Sequence, residues 1–181
     1  FDQAAIEVRD ASQPADLLTA LPQVTGLPGN ETATLGATAR GDNASVSLRG
    51  IASSNTLMLL NGRRLVPHPI SQGEAGVPTL STNVNQLPNR GLERVEVLRD
   101  GASSVYGTDA VAGVVNYVTR RSFRGTELSL RYGVTRYGDG DEYRATLTHG
   151  LDFAQGRGRA MFVVDYYDRA AMYARERAFS A

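Results

Sequence analysis

Arg99-Asp100-Gly101-Ala102-Ser103-Ser104-Val105-Tyr106-Gly107-Thr108-Asp109-Ala110-Val111-Ala112-Gly113-Val114-Val115-Asn116-Tyr117-Val118-Thr119 reads as a strand end, a short helix, a glycine break and a second strand. Small side chains dominate it and long polar ones are nearly absent. Ala102–Tyr106 suits one helical turn, and the β-branched run Val114–Thr119 suits a central strand. Glycines between them are turn formers. Immediately upstream, Leu92–Leu98 alternates, with Val95 and Val97 on one face and Glu93, Arg94 and Glu96 interleaved.

Further upstream the same logic yields more strands. Thr56–Leu60 is continuously apolar, as a strand covered on both faces would be. Asn61-Gly62 is the strongest short hairpin signal in the chain, and Arg63–Val66 returns from it. Ala44–Arg49 alternates Val46 and Leu48 against Ser45 and Ser47, which predicts a half-buried strand. Ser12 is placed to cap a short helix with Pro14 in its first turn and an apolar face of Leu17, Leu18 and Leu21. Gly26–Asp42 reads as loop with one short strand, and Pro67–Gly91 as a long polar loop holding four prolines.

After Arg121 the texture changes to three alternating segments. Thr126–Arg136 sets Leu128, Leu130, Tyr132 and Val134 against Glu127, Ser129, Arg131 and Thr135. Tyr143–Phe153 sets Tyr143, Ala145, Leu147 and Leu151 against Arg144, Thr146 and Thr148. Arg159–Asp168 sets Phe162, Val164 and Tyr166 against Arg159 and Asp165. Turn residues Gly138–Asp141 and Gln155–Gly158 separate them. Period-two segments of about ten residues are the signature of membrane-spanning β-strands. A soluble antiparallel sheet with one wet face predicts the same pattern.

Composition excludes several classes. The 181 residues carry 19 basic and 19 acidic side chains, every basic one an arginine. Residues 1–121 hold ten Arg against eleven Asp and Glu, and residues 122–181 nine against eight, so neither half is a basic nucleic-acid footprint. Zero cysteines remove disulfides, thiolate metal sites and a cysteine nucleophile. No apolar run reaches the length of a membrane helix, and Phe1 opens without the charged and apolar regions of a signal peptide. The sequence has no G-x-S-x-G, Walker A, G-x-G-x-x-G or H-E-x-x-H motif. His68 and His149 fall in different segments and form no local metal pair. No enzyme, cofactor or metal site is expected.

The order of Leu48-Arg49-Gly50, Leu57–Leu60 with Asn61-Gly62-Arg63-Arg64-Leu65, and the Arg99–Thr119 run resembles the plug domain of a TonB-dependent outer-membrane receptor. The likeness covers roughly Asp16–Arg121, and it favours membrane strands for the segments that follow. It implies an α+β fold: a plug over 1–121, built on a small mixed sheet of about four strands with short helices, then about three antiparallel strands over 122–181 that begin a barrel. Such barrels need about 22 strands, so the expectation is a piece of a larger receptor. Inside a barrel the glycines of Asp100–Gly113 would also let helix and sheet approach closely.

The resemblance also implies a function. The parent would gate energised uptake of a scarce nutrient (siderophore, cobalamin, haem or oligosaccharide) at the bacterial outer membrane, with TonB and its inner-membrane energising complex as partners. Substrate would meet the apical loops Gly36–Asn43, Ala52–Asn55 and Pro67–Glu74, where Arg40, Ser53, Asn55, His68, Ser71, Gln72 and Glu74 supply donors and acceptors. Arg49 and Arg99 would latch plug to barrel through wall glutamates on later strands, and would be unpaired across that interface here. Ala5-Ile6-Glu7-Val8 is only faintly like a TonB box, so the box is expected upstream. Asp100 stands where many members have glycine followed by proline. Two rivals remain: a secreted or periplasmic binding or signalling module with a plug-like fold, and a soluble α/β enzyme. A TonB box or further barrel strands would exclude the first, and a convex surface without a pocket of convergent polar groups the second.

Overall fold

A computed structural model of the chain describes residues 1–9, 11, 13–24, 44–69, 71–74 and 77–173. The chain divides into two compact units, Phe1–Arg120 and Arg121–Ala181.

The first unit is built on a four-stranded mixed sheet. Its strands are β1 (Thr56–Leu60), β2 (Arg63–Arg64), β5 (Leu92–Leu98) and β6 (Gly113–Thr119), in the order β2-β1-β6-β5. β1 runs parallel to β6, and the other pairs are antiparallel. β1 and β6 are central: β1 is covered on both faces, which explains its continuous apolar run, and β6 is buried except at Asn116 and Thr119. On one face Met58, Val95, Val115 and Tyr117 pack with Val46 and Leu48 and with two helices, α1 (Gln3–Arg9) and α2 (Pro14–Thr19), through Ile6, Leu17 and Leu18. On the other, Leu57, Leu59 and Val114 pack with Ala102 and Ala110 from α3 (Ser103–Tyr106) and the turn after it. Small residues at 102 and 110 let that layer sit close to the sheet.

Asn61 and Gly62 both have positive φ, 52° and 78°, as the tightest hairpin turn requires. Phe1 and Asp2 cover the outer edge of β5: the Phe1 amine and the Val95 N–H each donate to the other's carbonyl at 2.8 Å.

Several sequence expectations are corrected. Val46 and Leu48 are buried, but Ala44–Arg49 forms only isolated bridges, among them Val24 with Leu48, rather than a strand. The helix start is Gln13, whose N–H donates to the Asp16 carboxylate at 2.9 Å; Ser12 lies outside the described residues. Ala5–Val8, where no box was expected, is helical within α1. Pro67–Gly91 is no plain loop. It holds a hairpin, β3 (Gln72–Glu74) with β4 (Val77–Thr79), and two short 3-10 turns. Gly26–Asp42 falls outside the described residues.

The second unit is a meander of β7 (Gly125–Gly133), β8 (Glu142–Phe153) and β9 (Gly158–Arg169), in that spatial order. Register sets Leu128 opposite Leu147 opposite Val164, and Leu130 opposite Ala145 opposite Tyr166. The apolar face is the exposed one: Leu128, Leu130, Leu147, Phe162, Val164 and Tyr166 all lie open. The opposite face carries charge and hydroxyls. Arg144 donates twice to Asp165, at 2.8 and 3.0 Å, and Thr146 donates to the same carboxylate at 2.5 Å. Thr146 and Thr148 are buried. This inverts the pattern of a soluble one-sided sheet, in which the apolar face is the buried one.

Candidate functional site

The start of β1, the start of β6 and the end of β5 meet at one end of the first sheet. Topology brings the candidate residues to this end. Arg49 follows the buried Leu48, and Asp100 follows the last residues of β5. Gly113 lies where the two segments close in: a Cβ there would meet the Leu98 carbonyl at 2.8 Å and Leu48 at 2.9 Å. With φ at 140° it also holds a conformation that favours glycine.

Arg49 sits in a left-handed conformation, φ 60°, uncommon for a residue with a side chain. Its N–H donates to the Gln23 carbonyl at 2.7 Å, and the Ile51 N–H closes the turn on the Leu48 carbonyl at 3.2 Å. The turn sends the guanidinium to the Asp100 carboxylate, which it pairs. Arg49 therefore has a partner inside its own unit. Arg99 has no charged partner among the described residues. The sequence marked Asp100 only as a departure from the family pattern; its position beside Arg49 gives it a role.

Ser53 and Asn55 lie in a 3-10 turn that leads into β1. Ser53 is buried and hydrogen-bonded, while the Asn55 carbonyl accepts from the Ala112 N–H at 3.0 Å. His68 and Ser71 are half-buried on the ascending arm of the β3–β4 hairpin, whose base is tied by the His68 N–H donating to the Ser81 carbonyl at 2.8 Å. Gln72 and Glu74 belong to β3. Arg40 lies outside the described residues. The structure thus gathers Ser53, Asn55 and the base of the 67–81 arm around one end of the sheet.

Two polar groupings escaped the sequence reading. Arg64, on the hairpin strand, pairs with Asp109 at 2.5 Å and donates to the Tyr106 carbonyl, fastening β2 to the turn after α3. A second chain of bonds crosses the sheet. The Gly62 N–H donates to Asn116 at 2.9 Å, Asn116 donates to Glu96 at 2.9 Å, and Arg94 donates to Glu96 at 2.7 Å. The Asn116 amide, and then Arg94, hold the Glu96 carboxyl below its ordinary range. These pairings follow from strand order, which residue spacing alone does not reveal.

Among the described residues no group of three His, Asp or Glu side chains forms a metal-ligand set. No described helix is long and apolar enough to cross a membrane, which says nothing of strands.

The family model for the TonB-dependent receptor plug domain matches residues 1–114. Among solved structures, the siderophore receptor PirA from Acinetobacter baumannii superposes with a TM-score of 0.68 at 23% identity, over 93% of this chain and 24% of that one. A mutant ferric enterobactin receptor, PfeA from Pseudomonas aeruginosa, in complex with enterobactin, gives 0.64 at 23% identity, over 86% of this chain and 22% of that one. The ferric citrate transporter FecA in its unliganded form gives 0.63 at 20% identity, over 87% and 23%. These likenesses establish the fold, and this chain spans about a quarter of the receptors it matches. A plug model matched over most of the first unit, and a three-stranded meander where those receptors begin their barrel, make this chain a member of the TonB-dependent receptor family, comprising its plug domain and opening barrel strands.

Proposed function

We propose that the parent protein is an outer-membrane transporter whose plug gates energised uptake of a scarce nutrient. The observation that carries this reading is the inverted sheet of the second unit. On β8 the outward positions from Tyr143 to Phe153 cover ten residue steps, about 33 Å along the strand. At the tilt usual for membrane barrels that becomes about 25 Å of height, the thickness of an outer-membrane apolar band. Tyr132 and Tyr143, with ring centroids 5.0 Å apart, lie towards one end of the band and Phe153 at the other, as aromatic girdles do. A secreted binding module has no use for such a face exposed to water.

In this reading the nutrient, a siderophore, cobalamin, haem or an oligosaccharide, meets the plug at Arg40, Ser53, Asn55, His68, Ser71, Gln72 and Glu74. TonB, driven through its inner-membrane complex, pulls on the plug until a path opens. Arg49 and Arg99 latch the plug to carboxylates on barrel strands beyond this segment. Arg49 leaves Asp100 to do so, while Arg99 has no charged partner to leave among the described residues. No bond in the nutrient is made or broken.

Uptake of radiolabelled candidate nutrients by cells carrying the full receptor tests the reading. Accumulation that stops when TonB is deleted or the proton gradient is collapsed is the expected result. Uptake indifferent to both, or no accumulation of any candidate, overturns it.

A further inference from the structure

A cleft of about 500 Å³ opens beside the β2 edge of the first sheet. Three segments wall it: the turn into β1, the chain from Arg64 to Pro67, and the returning arm Leu80–Thr82. Five hydroxyl-bearing residues line it, Ser53, Ser54, Thr56, Ser81 and Thr82, of which Thr56 already accepts from the Leu48 N–H at 3.2 Å and Ser53 is already hydrogen-bonded. The hydroxyl of Ser81 is the telling one. Ser81 is 4% exposed, and its Oγ has no hydrogen-bond partner. Buried polar atoms in native proteins are nearly always satisfied, by protein, water or ligand. A hydroxyl left over in the wall of a cleft points to a polar group that enters from the cleft.

The lining also says what kind of ligand fits. Its two charges cancel, because Arg64 is held by Asp109 at 2.5 Å and also donates to the Tyr106 carbonyl. Among the described residues no aromatic ring lines it to stack on a flat ligand. Leu57, Leu65 and Leu80 supply aliphatic wall between the hydroxyls. Among the described lining residues an anionic iron chelate finds no free cation, whereas an uncharged body carrying several hydroxyls finds donors, acceptors and apolar contact together. The volume lies within the usual range of small-molecule sites, about 300–1,000 Å³. Ser53 and Pro67, at the edges of two substrate-facing loops, are part of the same lining.

We propose that this cleft is an inner subsite for one small, uncharged, polyhydroxylated unit, of the kind a single sugar ring presents. The inference rests on the substrate-side reading of the loops Ala52–Asn55 and Pro67–Glu74, and it narrows the nutrient class at that end of the plug.

The test is titration of the full-length receptor in detergent with maltose, followed by saturation-transfer NMR and calorimetry. Saturable binding is expected. Ser81→Val and Thr82→Val should each weaken it by about fivefold or more, the worth of one hydrogen bond. Ser81→Thr, which keeps the hydroxyl, should retain it, and Ser122→Ala in the second unit should leave it unchanged. Citrate, smaller and charged, should bind more weakly than maltose, and glucuronate, a sugar ring of the same kind carrying a carboxylate, more weakly than glucose. Three outcomes overturn the proposal: no saturable maltose binding, binding that both valine variants leave intact, or a crystal structure with maltose present in which Ser81 holds an ordered water only. Should Ser81→Val fail to fold, Thr82→Val decides. TonB-dependent uptake of the natural nutrient, measured on the same variants, separates the two claims. Persistent uptake without maltose binding removes the subsite alone, and uptake that never depended on TonB removes the transport reading.

Discussion

At the scale of single residues, Arg49 combines an unfavourable backbone with an ion pair. Its left-handed φ of 60° costs a side-chain-bearing residue about 1–2 kcal/mol relative to glycine. Its pair with Asp100 joins side chains that are 38% and 78% exposed, so water and salt screen it. A double-mutant cycle on Arg49→Ala and Asp100→Asn, read by urea denaturation in detergent, should give a coupling below about 1 kcal/mol that fades at high salt. Arg49→Gly should be less destabilising than Arg49→Ala, because glycine accepts the turn. Equal losses for the two would mean that the backbone conformation is not the constraint. Gly113 offers a sharper case. An added Cβ meets the Leu98 carbonyl at 2.8 Å, so Gly113→Ala should destabilise the plug by about 2 kcal/mol or more. A neutral effect in the same denaturation experiment would show that the two segments do not close there. The small-residue run signalled that packing here is tight. It gave no hint that Asp100 would take Arg49, because that contact joins residues 51 positions apart.

At the scale of elements, the hydrogen-bonded chain from Gly62 through Asn116 and Glu96 to Arg94 ties the β1–β2 turn to β6 and β5. Glu96 is held below its ordinary value of 4.5, so folding is favoured by its ionised form. That contribution is present above the unfolded value of 4.5 and is lost as pH falls through the lower folded value. Glu96→Gln should therefore flatten the acid limb of plug stability below about pH 4.5 and change little at pH 7. An acid limb as steep as that of the unmodified protein would place the titration elsewhere. The strands themselves were legible wherever burial imposed a simple rule. Continuous apolar sequence marked the doubly covered β1, alternation marked β5 and β7–β9, and Asn61-Gly62 fixed the hairpin. Legibility failed where backbone pairing, not side-chain pattern, decides. Val46 and Leu48 are buried as their alternation predicts, yet of the two only Leu48 is bridged, singly to Val24. The β3–β4 hairpin of three residues a side is too short to show a period. Helix α1 buries only Ile6, so no apolar stripe announces it.

At the scale of the whole molecule, one sequence carries two opposite relations to solvent. The first unit hides its apolar residues in two layers around a mixed sheet. The second turns its apolar residues outward and keeps arginine, carboxylate and threonine on the other face. Sequence alternation alone left the second case open, because period two records that the faces differ and not which one meets water. Strand register and exposure resolve it. The residues proposed to face a substrate were legible only as loop positions: the structure collects Ser53, Asn55 and the base of the 67–81 arm at one end of the sheet, and no motif encodes which ligand they would take.

The most direct test of that arrangement is a spin-label scan of β8 in the full receptor reconstituted into lipid vesicles, read by collision with oxygen and with a water-soluble nickel chelate. Labels at Tyr143, Ala145, Leu147, His149 and Leu151 should be open to oxygen and closed to nickel, while labels at Glu142, Arg144, Thr146 and Thr148 should not favour oxygen, giving a period of two residues. Nickel reaching Leu147 as readily as a surface loop, or no alternation along the strand, would contradict the assignment of this sheet to the membrane wall and with it the transporter account.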